Sequence, residues 1–170
     1  ALPATKAIAD GKEADDFSAY KGLDASKSVV DVSTDAATGE YSRINIDRYA
    51  NDPVGEPALF LSYSELMLAK AEAAARGWIS ADAEHCYNEA IRASFGYYEI
   101  DDAQYEAYIA RNAYDPVRGL EQIYQQRYIL FFMQRDFEPW FHALRTGYPT
   151  IVCGDGQMVP ELPCRLRYPQ

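Results

Sequence analysis

The chain has 170 residues, of which 48% are hydrophobic and 25% charged, with a formal net charge of −10. That length and balance suit a globular domain with a real core rather than a disordered segment. The negative charge excludes a phosphate-tracking nucleic-acid binder and disfavours adhesion of the folded domain to an anionic bilayer.

Residues 1–56 form a loop-rich first segment with no independent core. Polar, turn-forming stretches such as D-G-K-E-A-D-D and S-T-D-A-A-T-G-E surround short apolar islands. Val29, Val30 and Val32 precede a turn at Asp35 to Gly39, and Ile44 and Ile46 alternate with polar residues after it. That pattern is compatible with one short β-hairpin, which would have to lean on other structure to persist.

Residues 57–170 read differently, as helices. Ser62 and Glu65 have capping-box spacing, and Glu65 to Arg76 contains strong helix formers with no proline or glycine. Gly77 supplies a left-handed stop, after which Trp78 can fold back on the last turn. Ser80 is the expected N-cap of a second helix, on which Ala83, Tyr87, Ala90, Ile91 and Ser94 share a face. Alanines along both helices, including Ala69 and Ala73, let two backbones come close, as a tetratricopeptide-like hairpin requires.

Asp101 or Asp102 caps a third helix to about Arg111, with Tyr105, Tyr108 and Ile109 on its apolar side. Asp115-Pro116 is expected to open a fourth, on which Leu120, Ile123, Tyr124, Arg127, Leu130 and Phe131 follow helical spacing. A fifth begins near Asp136, tolerates Pro139 in its first turn, and ends at Gly147 and Pro149. Phe137, Trp140, Phe141 and Leu144 are expected to face inward. The aromatics from Tyr124 to Phe141 are then expected to supply most of the buried area. The fold class is all-α, built of tetratricopeptide-like helical hairpins with long irregular loops.

No stretch is long and apolar enough to span a bilayer. Three cysteines do not make a disulfide framework. Cys86 reads as a small buried hydrophobe. Cys153 and Cys164 bracket a Gly- and Pro-rich loop, and a disulfide or two free thiols remain open alternatives there. His85 and His142 lack metal-ligand spacing, so neither a metal nor a cofactor is expected.

Glu65 and Glu72 share a helix face, which raises the two-carboxylate arrangement of a glycosidase. Two helical turns set them roughly 10 Å apart on one surface instead of across a cleft. Capping for Glu65 and pairing of Glu72 with Arg76 or Arg145 explain them better, so no catalytic residue is expected. Fourteen tyrosines suggest a platform for stacking sugar rings. Most fall at helical core spacing, which leaves Tyr49, Tyr97, Tyr98 and Tyr114 as ligand-binding candidates.

Four motifs occur in order: S-Y-S-E-L-M-L-A-K-A-E-A-A-A-R-G-W with D-A-E-H-C-Y-N-E-A-I-R-A-S-F, E-Q-I-Y-Q-Q-R-Y-I-L-F-F, E-P-W-F-H-A-L-R-T-G-Y-P, and L-P-C-R-L-R-Y-P. Together they resemble the SusD/RagB-like family of outer-membrane nutrient-binding lipoproteins; Y-K-G-L at Tyr20 to Leu23 is a fainter match. Leu144 departs from the family, standing where an arginine is common, and the chain resembles a C-terminal portion of the longer family members.

The resemblance implies a cell-surface, non-catalytic binder of glycans or other oligomeric nutrients. It would partner a SusC-like TonB-dependent transporter and touch the membrane only through a lipid anchor outside this chain. The matched motifs belong to the scaffold, so the resemblance assigns no ligand contact. A tetratricopeptide-like protein-interaction module is the alternative that the hairpin alone supports.

Overall fold

A computed structural model describes residues 1–51, 53–157, 161 and 163–165. Most of the closing L-P-C-R-L-R-Y-P motif therefore lies outside the described residues. Among the described residues the regular structure is helical, in two compact units: residues 1–57 with 151–170, and residues 58–150.

The first unit carries α1 (Thr5–Ala9), a 3-10 turn (Phe17–Ala19), α2 (Val29–Ala37) and α3 (Ile46–Tyr49). Its segments are tied largely through backbone. Leu2 and Arg43 exchange both N–H···O bonds, at 2.7 and 3.1 Å, and the Ala4 amide donates to the Ala19 carbonyl at 2.9 Å. The Gly156 amide donates to Ser26 at 3.0 Å, and a side chain on Gly156 would collide with the Lys27 backbone. The loop therefore depends on a residue without a Cβ at that point.

The β-hairpin does not form. Val29 to Ala37 is helical because Ser28 caps it, accepting from the Asp31 amide at 3.2 Å and donating to the Asp31 carboxylate at 2.7 Å. Ser33 and Thr34 turn their hydroxyls back to the carbonyls of Val29 and Val30. A strong cap outweighs β-branched residues whose side chains gain nothing from packing: Val29 and Val30 are 81% and 73% exposed.

The second unit is built on α4 (Tyr63–Ala75) and α5 (Ala83–Tyr97). Ser62 caps α4, accepting from the Glu65 amide at 3.1 Å. At the other end Gly77 takes φ +71°, its amide donates to Ala74 and that of Trp78 to Ala73, both at 2.9 Å. These two bonds make the Schellman stop. The N-cap of α5 is Asp82 instead of Ser80: its carboxylate accepts from the His85 amide at 3.1 Å, leaving Ser80 in the connecting turn. Met67, Leu68 and Ala71 meet Cys86, Tyr87, Ala90 and Ile91 across the hairpin, all buried.

Asp101 caps α6 (Asp102–Arg111), which adds buried Tyr105 to the core and packs Tyr108 and Ile109 against it. The next helix, α7, starts later than Asp115-Pro116 suggests, and spans Gly119–Leu130. Asp115 spends its side chain on the Val117 amide at 2.9 Å, closing a turn ahead of the helix. Gly119 is buried directly over the Tyr114 ring. Ile123 and Tyr124 complete the core from α7. Fully burying side chains of this size is worth about 1.5–3 kcal/mol each.

Helix α8 (Glu138–Thr146) stops at Gly147, which takes φ +72°. Its inward edge is not the expected one. His142 and Ala143 are buried, whereas Phe137, Phe141 and Leu144 are 57%, 49% and 41% exposed. His142 Nε2 donates to the Tyr124 carbonyl at 3.3 Å and the ring stands edge-on to Tyr124. Seating that edge against α7 turns Phe137 and Phe141 outward. Of the aromatics from Tyr124 to Phe141, only Tyr124 and Phe131 are buried; Trp140 is half-buried, and most of the core comes from the hairpin, with Tyr105 of α6 and Ile123 of α7.

All three cysteines are free, so the bond between Cys153 and Cys164 is absent and Cys86 is a buried thiol. Among the described residues no helix is long and apolar enough to cross a membrane, and no His, Cys, Asp or Glu group is arranged to hold a metal.

Two glycines separate close packing from helix propensity. Gly119→Ala would drive a Cβ into the Tyr114 ring and is expected to cost about 1–3 kcal/mol. Gly96→Ala, in the last turn of α5 with open space around it, is expected to gain up to about 0.5–1 kcal/mol. Urea denaturation of the two variants measures both.

Candidate functional site

Two concavities in the second unit concentrate polar and aromatic groups. The first grows out of the ion-pair centre of the fold. Glu72, in the last turn of α4, is 5% exposed. Arg145 of α8 grips it bidentately, at 2.7 and 3.1 Å. Arg76 reaches Glu72 Oε1 at 3.2 Å, the Tyr124 hydroxyl donates to that oxygen at 3.1 Å, and Arg127 donates to Oε2 at 3.4 Å. Arg76 also donates to the Tyr124 hydroxyl, which relays the charge. Two turns earlier, Glu65 takes Arg135 at 3.4 Å and Arg127 at 4.0 Å.

Burial pushes the Glu72 carboxyl up, but the hydrogen bond and charge of Arg145, helped by Tyr124 and Arg76, outweigh it and hold the group below the ordinary glutamate range. A general acid in glycoside hydrolysis needs the opposite shift. Burial pushes His142 down, and Arg127 and Arg145 add to the effect, so its imidazole is neutral at neutral pH. The centre is an electrostatic bolt joining α4, α7 and α8, and an open pocket of about 420 Å³ lies beside it. Trp78, Glu138 and Phe141 are among the other residues of that pocket's wall.

The second concavity sits where α4 begins and α5 ends, which the antiparallel hairpin brings together. It encloses about 310 Å³ and is lined by Leu61, Tyr63, Ser94, Tyr97, Tyr98 and Gln134 among others. The Tyr97 and Tyr98 rings stand edge to face, with centroids 5.1 Å apart at 84°. One ring can therefore serve as a floor and the other as a wall. Tyr63 adds a third phenol and is 57% exposed. Flat rings beside hydroxyl and amide groups suit a pyranose, whose C–H face packs on an aromatic while its hydroxyls bond to the rim.

The four tyrosines singled out by sequence have separate fates. Tyr97 and Tyr98 lie together in this notch. Tyr49 ends α3 in the first unit and is half-buried. Tyr114 is spent on the core: its ring is 5.5 Å from that of Tyr87, and burial raises its phenol pKa. Tyr63 escaped notice because it directly follows the capping serine, within a run read only for helix formation. Trp78 was read as a helix-end residue, yet its ring is 69% exposed beside the charged pocket, with the Arg76 guanidinium 5.1 Å from its centre.

The helical hairpin with a third and fourth helix packed on it defines a tetratricopeptide-like scaffold. Residues 4–169 match the SusD-like family model described as starch-binding and associating with the outer membrane, and the chain belongs to that family. A SusD homolog from Bacteroides fragilis NCTC 9343 is 33% identical with a TM-score of 0.81; the match covers 99% of this chain and 40% of that one. A second from the same organism is 32% identical with a TM-score of 0.79, covering 98% and 39%. A chitin-binding protein is similar over 64% of this chain and 26% of its own, at 32% identity and a TM-score of 0.57. Among curated proteins there is no match. The chain thus spans about two-fifths of the SusD homologs that it matches.

The bolt makes stability depend on pH in a set direction. Glu72 has a lowered pKa in the folded state, so its contribution is complete above the ordinary value of 4.5 and is lost as pH falls through the folded value. His142 also has a lowered pKa, so stability should begin to fall earlier, as pH drops below 6.5 and the unfolded chain takes up the proton first. Glu72→Gln is expected to lose about 2–3 kcal/mol at neutral pH, less than for a fully buried pair because Arg145 is half exposed. It should also flatten the acid limb below pH 4.5, as read by urea titrations across pH.

Proposed function

We propose that this chain is the helical scaffold of a non-catalytic, nutrient-binding component of an outer-membrane uptake system, and that its nutrient is a glycan. The observation that carries the reading is the family match over residues 4–169. Its likeness to a chitin-binding protein supports a saccharide as ligand. Within the chain, the notch of Tyr63, Tyr97 and Tyr98 is the ring-stacking site. The absence of catalysis is supported by the two helix-face carboxylates: arginines hold both, and Glu72 is kept ionised instead of poised to give up a proton.

A TonB-dependent transporter of the SusC-like class is the proposed partner, with the complete protein held at the cell surface by a lipid anchor. Co-isolation from detergent-solubilised outer membranes with a large barrel protein would support that partner; recovery with soluble partners only would favour the interaction-module reading.

Isothermal titration calorimetry of this chain against malto- and chito-oligosaccharides tests the notch. Saturable binding is expected, weakened at least about tenfold by Tyr97→Ala or Tyr98→Ala, the size of one lost stacking contact. Absence of binding to every oligosaccharide, or binding unchanged in both variants, removes the notch as the site.

A further inference from the structure

Trp78 stands on the wall of the pocket beside the ion-pair centre, 69% exposed and fixed from two sides. Its amide donates to the Ala73 carbonyl at 2.9 Å, which sets the main chain just past the end of α4. The Arg76 guanidinium lies over the indole, 5.1 Å from the ring centre, and is itself tied to Glu72 at 3.2 Å and to the Tyr124 hydroxyl. Arg76 is not part of the pocket wall, so it steadies the ring without filling the hollow. A flat ring ordered in advance loses little freedom when a ligand packs on it.

The rest of the wall is balanced in charge. Arg127 and Arg145 stand against Glu72 and Glu138, and His142 is neutral. The Glu138 carboxylate is exposed and takes no hydrogen bond or ion pair among the described residues. Arg145 spends two of its five N–H donors on Glu72, and 48% of its side chain is exposed. The wall thus offers an aromatic face, an unused acceptor and a spare donor, with no net charge.

We propose that this pocket is a second saccharide site, selective for neutral sugar rings. The C–H face of a pyranose packs on Trp78, with Phe141 as a side wall. Glu138 accepts from ring hydroxyls, and Arg145 donates to a hydroxyl or to the ring oxygen. A hydroxyl both donates and accepts, so a polyol satisfies the two groups together. A compact anion would meet Glu138. A cation would meet Arg127, Arg145 and an indole already engaged by Arg76, so charge of either sign gains nothing. The volume, about 420 Å³, is within the ordinary range for a small-molecule site. The pocket is separate from the tyrosine notch, and its ligand class follows from its own groups.

The probes are glucose, galactose and N-acetylglucosamine, titrated into the 15N-labelled chain, with glycerol and glucuronate as controls. The Trp78 indole signal, assigned by its loss in Trp78→Phe, and the Phe141 amide signal report on the pocket. At least one neutral sugar should move both signals saturably. Glycerol, which has hydroxyls but no ring face, should do so at least about tenfold more weakly. Glucuronate should bind no more tightly than glucose. Trp78→Ala and Glu138→Ala should each weaken the sugar about tenfold or more, the first read from the Phe141 amide. Both side chains are exposed, so neither change disturbs the core. Tyr97→Ala should leave the pocket signals unchanged.

No shift from any of the three sugars, equal shifts from glycerol, tighter binding of glucuronate, or undiminished binding in either pocket variant overturns the proposal. Loss of malto- and chito-oligosaccharide binding at the notch with the Trp78 shifts retained would remove the notch alone; the reverse would remove this pocket alone.

Discussion

The Glu72 carboxylate is the interaction on which the second unit depends. It sits in the last turn of an alanine-rich helix, almost out of water, and meets arginines from the end of its own helix, from α7 and from α8. A buried charge is unfavourable unless it is paired and hydrogen-bonded, and here both oxygens are occupied. Moving α7 or α8 would leave that carboxylate partly unpaired in a low-dielectric setting. Apolar contact alone would hold these helices with less definition, because Leu68, Ile123 and their neighbours tolerate sliding more readily than a bidentate ion pair does.

The hairpin was the most legible part of the chain, because its signals are local. Ser62 caps α4, Gly77 ends it, and Tyr87, Ala90 and Ile91 are buried, since capping, left-handed glycine and helical spacing all act within a few residues. Glu72 was expected to pair with Arg76 or Arg145, and it takes both: Arg76 at the i, i+4 spacing and Arg145 from α8. Where sequence reasoning failed, a competing contact decided the outcome. Val29 and Val30 have strand character, yet the Ser28 cap makes a helix. Phe137 and Phe141 look like core residues, yet their helix rests on His142 and Ala143 instead.

The candidate sites were less legible for a physical reason. A concavity is assembled from residues distant in sequence, and nothing local marks an aromatic as wall or filler. Tyr97 and Tyr114 each stand at or just beyond a helix end, but one borders a notch and the other lies on Tyr87. Tyr63 and Trp78 each sit at a helix end, where a side chain serves the helix terminus and a neighbouring hollow at once.

The antiparallel hairpin has one further consequence. Tyr63 borders the notch at one end of α4, and Ala73 borders the charged pocket ten positions along the same helix. At about 1.5 Å per residue, the α4 residues that border the two hollows lie about 7–15 Å apart along the helix axis. Hydrogen-bonded backbone is stiff along that axis, so α4 acts as a fixed ruler. Whatever fills one hollow is therefore held at a set distance from the other.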